Sequence, residues 1–132
     1  MIRTALRNAQ ETGALAGVGR AHPRAGPHLG RALAGAVSGV ERAARLGGEE
    51  FVLLLPGTRA AAAAARCGNL TSRIRAMDWS EMTGTHPVTA SIGVATDADG
   101  RMSAADLMAA ADQNLCAAKR SGRDRVVATT AG

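Results

Sequence analysis

Aromatic side chains are almost missing from this chain. Among 132 residues, Phe51 and Trp79 are the only two, and tyrosine is absent. The core must therefore be aliphatic and alanine-rich. The stacking platforms that hold single-stranded nucleic acid have no material here. Lysine is nearly absent too: Lys119 is the only one, so positive charge is otherwise arginine. Cys67 and Cys116 stand alone and far apart. That pattern excludes a zinc ribbon and a disulfide framework, and leaves inert thiols in a reducing compartment as the expectation. Residues 1–40 contain no aspartate, and Glu11 is their only acid. The longest apolar runs, residues 60–65 and 51–55, fall far short of the ~20 residues a membrane helix needs. The basic N-terminus is not followed by an apolar segment of signal-peptide type, so a cytoplasmic location is expected.

What remains suits one domain with one core. Apolar residues make up 46% of the chain. The formal net charge of +5 favours anionic partners without choosing among them, and a GC-rich genome would give the same Arg, Ala and Gly usage. Residues 1–30 show no sustained period of 2 or 3.6, and "GRAHPRAGPHLG" has loop composition. They read as a divergent, irregular N-terminal segment with at most a short helix near residues 4–10. In "RALAGAVSGVERAAR", Leu33, Val37 and Val40 recur on one helical face, although Gly35 and Gly39 weaken it.

"RLGGEEFVLLL", residues 45–55, is the most informative stretch. Gly47-Gly48 signals a hairpin turn. "FVLLL" is apolar on both faces of an extended chain, which marks a central strand covered on both sides. Adjacent carboxylates at the edge of such a strand cost free energy unless compensated. A solvated turn, a cation, or a metal ion with a phosphate substrate would each serve. Downstream, Thr58 is placed to cap a helix running to about Met77, and "VTASIGVA" reads as a strand. Ser103 and Asp106 form a capping box for a last helix with Leu107, Ala111, Leu115 and Ala118 on one face. "RVVA" follows as a final edge strand. The fold class is α/β (α+β), with helices packed on an antiparallel or mixed sheet.

Three stretches together carry a resemblance: "RLGGEEFVLLLPGT", "VTASIGVA" and "SAADLMAAADQNLCAAKRSGRDRVV". In order and spacing, residues 31–132 are similar to the C-terminal two-thirds of a GGDEF domain, the diguanylate cyclase family. The signature stands here as Gly47, Gly48, Glu49, Glu50 and Phe51. The resemblance implies a palm-like fold of nucleotidyl-cyclase type, incomplete at its N-terminus. It implies condensation of two GTP molecules to cyclic di-GMP in a homodimer, and an upstream sensor or regulatory domain. It also implies Mg²⁺ (or Mn²⁺), which would neutralise phosphate charge and lower the pKa of the attacking hydroxyl. Glu49 is then the metal ligand and catalytic acid-base group, with Glu50 its catalytic neighbour. Gly47 and Gly48 let backbone approach the nucleotide, and Lys119 and Arg123 hold its phosphates. Spaced four apart, those two cations are expected on one face of the last helix, where the helix dipole alone would also favour them.

The upstream half of the family pattern is missing. No D-x-D-x-F-K strand is found, and residues 9–46 are short for the strand and helices the family places there. Pro27 stands where a guanine-reading aspartate would be. "SGVE", residues 38–41, replaces the product-inhibition motif R-x-x-D. The metal is therefore expected to be weakly held and the cyclase weak or inactive. A truncated or frame-shifted enzyme, a degenerate module that binds nucleotide or a protein partner without catalysis, and an enzyme completed from elsewhere all fit these residues. Nucleic acid and membrane are not expected partners.

Overall fold

A computed structural model describes residues 13–20, 26–39, 41–47, 50–84, 88–97 and 99–131. Five strands and four helices are found among them. The strands are β1 (Gly13–Arg20), β2 (Arg42–Gly47), β3 (Glu50–Pro56), β4 (Ala90–Asp97) and β5 (Val126–Ala131). The helices are α1 (Gly26–Gly35), α2 (Ala60–Ala76), α3 (Ser80–Thr83) and α4 (Ala104–Arg120). The strands form one mixed sheet in the order β2-β3-β1-β4-β5. Every pairing is antiparallel except β4 with β5, which α4 joins as a parallel crossover.

The alternation in β3 decides how the core divides. Phe51, Leu53 and Leu55 face a layer built from Leu29 and Leu33 of α1 and Ala63, Cys67, Leu70 and Ile74 of α2. Val52 and Leu54 face the other way, toward Leu107 and Ala111 of α4. Residues 51–55 of β3 are all buried, as expected of a strand covered on both sides. Each such aliphatic side chain contributes roughly 1.5–3 kcal/mol. The Ser103 half of the capping box expected for α4 is formed: Ser103 has extended φ/ψ and its hydroxyl accepts from the Asp106 N–H at 3.0 Å. Leu107, Ala111, Leu115 and Ala118 are all buried.

Several expectations need correction. Residues 13–20 read as irregular, yet they form the central strand, bonded to β3 on one side and β4 on the other. β-propensity failed there because the chain is mostly glycine and alanine. Burial between layers selected small residues: Ala14 and Ala16 are fully buried. The helix read from residue 31 begins earlier and ends at Gly35, and "ERAAR" contributes to β2 instead. Gly39, at φ +62, lies in the connection between them. The interval judged short thus holds a strand and a helix. The N-cap of α2 is Arg59 rather than Thr58, without a side-chain bond. The helix suggested near residues 4–10 lies outside the described residues.

Candidate functional site

The β2–β3 hairpin presents the acidic end of β3. Gly47 pairs with Glu50 as the last rung, after a register shift between Arg45 and Gly47. Gly47 is therefore the end of β2 rather than part of the turn. Gly48 and Glu49 lie outside the described residues. Glu50 shares a sheet face with Val52 and Leu54, because side chains alternate along a strand. That face is the one α4 covers, so Glu50 looks toward the C-terminal end of α4.

Lys119 sits there. Its Nζ lies 3.8 Å from Glu50 Oε1, with both side chains partly exposed. The fold thus brings together two sequence-predicted site residues that are far apart in the chain. Arg123 is placed differently from expectation. α4 ends at Arg120, so Arg123 does not share a helical face with Lys119. It follows Gly122 in a left-handed turn at φ +64, and its N–H donates to Ala118 O at 2.9 Å. That bond folds the turn back over the last turn of α4. Arg123 is exposed. The two cations are close in the chain, but one stands on the helix and the other on its cap.

A metal centre is not assembled among the described residues. No group of three His, Cys, Asp or Glu side chains there could hold an ion. The β1 residue in register with Glu50 is Gly19, and β1 carries no carboxylate. Glu50 itself faces a cation. Glu49, the acid that the resemblance assigns to the metal, lies outside the described residues.

Three arrangements were not anticipated from the sequence. Glu41 accepts hydrogen bonds from the Arg66 guanidinium, one of them 2.8 Å long, and from the Ser38 N–H at 3.0 Å. Arg66 also donates to Ala36 O at 3.0 Å, so the α1–β2 connection is pinned to α2. The bond from Arg66 holds the Glu41 carboxyl below its ordinary pKa, against the opposing effect of burial. Buried Asn114 donates to Val94 O and to Thr129 Oγ1, each at 2.8 Å, tying α4 to β4 and β5. Arg75 pairs with Asp124 at 2.7 Å, across 49 residues of sequence. Long-range ion pairs of this kind leave no periodic signal. The inert-thiol reading suits Cys67, which is buried and whose pKa burial pushes up to about 11.

Comparisons with known proteins bear on this geometry. The family described as "Diguanylate cyclase, GGDEF domain" matches residues 27–125, more than half of the chain. The chain belongs to that family. The GGDEF domain of DgcB from Caulobacter crescentus, solved in complex with c-di-GMP, is 28% identical, with a TM-score of 0.78 over 95% of this chain and 84% of that one. Diguanylate cyclase SiaD from Pseudomonas aeruginosa, solved with its activator SiaC, is 27% identical with a TM-score of 0.78 over 97% of this chain and 55% of that one. The active GGEEF domain of a diguanylate cyclase from Vibrio cholerae matches in fold, with a TM-score of 0.80 at 20% identity, over 98% of this chain and 92% of that one. No curated protein sequence gives a match. No helix among the described residues is long and apolar enough to cross a membrane.

Proposed function

We propose that this chain is a diguanylate-cyclase-type signalling module that binds GTP through its phosphates and turns it over weakly or not at all. The observation that carries the reading is the meeting of Glu50, at the start of β3, with Lys119. In the proposed complex, Lys119 and Arg123 donate charge-assisted hydrogen bonds to the terminal phosphates. Gly47 and Gly48 let the hairpin backbone approach the nucleotide. Glu49 is the acid proposed to contact Mg²⁺ (or Mn²⁺). With no carboxylate in the sequence of β1 to share the charge, the ion would be held loosely. Condensing two GTP molecules further requires two copies of the chain, each presenting one nucleotide, so a homodimer is part of the reading. The proposed setting is the cytoplasm, under control of an upstream sensor or regulatory domain.

A second reading is a degenerate module that binds nucleotide, or a protein partner, without catalysis. The glycines of β1, standing where a metal-binding acid is needed, favour it over a fully active enzyme. Incubating purified protein with GTP and Mg²⁺, and following cyclic di-GMP by chromatography, separates the two. A trace of product supports the weak cyclase, and nucleotide binding without product supports the degenerate module. Robust turnover would refute both.

A further inference from the structure

The turn after α4 has three successive residues with positive φ: Gly122 at +124, Arg123 at +64 and Asp124 at +48. Left-handed backbone is unfavourable for a residue with a long side chain such as Arg123, so the turn persists only where its surroundings impose it. Three separate contacts do so. The Arg123 N–H donates to Ala118 O at 2.9 Å. The Arg123 carbonyl accepts from Arg125 Nε at 3.0 Å. The Asp124 carboxylate accepts from Arg75 Nε at 2.7 Å and from Arg75 Nη2 at 3.1 Å.

The last contact differs in kind from the other two. It is a two-bond fork between guanidinium and carboxylate, which fixes orientation as well as distance. It also comes from another element, because Arg75 stands in the last turn of α2. The backbone of Arg123 is thus tied to α4, to Arg125 and, through its neighbour, to α2. Its guanidinium is exposed and makes no ion pair among the described residues. A main chain held from three directions under an unengaged charged group is a preorganised binding element.

We propose that Arg75, gripping Asp124, is a positioning residue that aims Arg123 at the terminal phosphates of a nucleoside triphosphate. The proposal rests on the phosphate role assigned above to Lys119 and Arg123. Lys119 is carried by a rigid helix, whereas Arg123 hangs on a turn entered through glycine. For both cations to meet one triphosphate, the turn must be held at a fixed angle to the helix. The Arg75–Asp124 fork supplies that angle from α2.

The test titrates GTP, and separately inorganic triphosphate, into wild type and into Arg75→Ala, Asp124→Gly, Arg75→Lys, Arg123→Ala and the double variant Arg75→Ala/Arg123→Ala. Glycine at 124 tolerates the left-handed backbone while removing the carboxylate. Arg75→Ala and Asp124→Gly should each weaken both ligands about two- to fivefold, the scale of an exposed ion pair. Arg75→Lys should recover part of the loss. In the Arg123→Ala background, Arg75→Ala should cost nothing further, because it acts only through Arg123. If Arg123→Ala weakens binding and Arg75→Ala does not, the phosphate reading stands and the positioning role is overturned. Equal losses from Arg75→Ala in both backgrounds would also overturn it. If Arg123→Ala leaves binding unchanged, or wild type binds neither ligand, the phosphate reading fails and the positioning role falls with it.

Discussion

Gly93 of β4 lies directly beneath the backbone of α4: a Cβ built on it would stand 2.1 Å from the Leu115 nitrogen and 2.3 Å from the Ala111 carbonyl oxygen. Helix and strand touch main chain to main chain at this point. The contact seats α4 close on the sheet, and thereby places Lys119 beside Glu50.

Gly93→Ala should therefore be severely destabilising. Neither clashing atom belongs to a flexible side chain, so the whole helix must move. Overpacking of a tight contact typically costs about 1–3 kcal/mol or more. Chemical denaturation should show a lower midpoint, and nucleotide binding should weaken in the protein that remains folded. A midpoint equal to wild type would mean that α4 does not approach so closely.

Asn114→Ala should also destabilise the fold, by about 1–3 kcal/mol, because Val94 O and Thr129 Oγ1 each lose a buried donor. Asn114→Asp, which brings acceptors where donors are needed, should be the worse of the two in urea melts near neutral pH.

The Glu41–Arg66 pair predicts a particular acid sensitivity. Glu41 titrates below its usual 4.5 in the folded protein, chiefly through the hydrogen bond from Arg66. A carboxylate lowered in this way adds stability above its unfolded pKa, and loses it as pH falls through the folded pKa. Melting temperatures of wild type and Glu41→Gln should differ by a constant amount above about pH 5.5, and converge as pH falls below about 4.5. A gap that stays constant down to pH 3 would exclude the pair as its source.

Lys119→Ala should weaken GTP and ATP alike, roughly tenfold, since the proposed contacts are to phosphate and not to base. Added salt should weaken both nucleotides in wild type. A strong preference for GTP in competition titrations would place the recognition elsewhere.

Much of the chain could be read before any coordinates. The continuous apolar run at residues 51–55 identified a strand covered on both sides, and Ser103 with the stripe from Leu107 to Ala118 identified the last helix. These features are local, written in apolar patterning and in capping chemistry, and family membership follows from such motifs in order. β1 was illegible for the opposite reason. Its glycines and alanines carry no strand propensity, and only the demand for small residues between two layers makes them a strand. The same holds for the site. The family resemblance nominated Glu50, Lys119 and Arg123. That Glu50 meets Lys119, that Arg123 stands on a cap rather than on a helical face, and that Arg75 reaches Asp124 from α2 were decided by how the elements pack. Contacts between residues distant in the chain depend on the relative placement of whole elements, which no local pattern encodes.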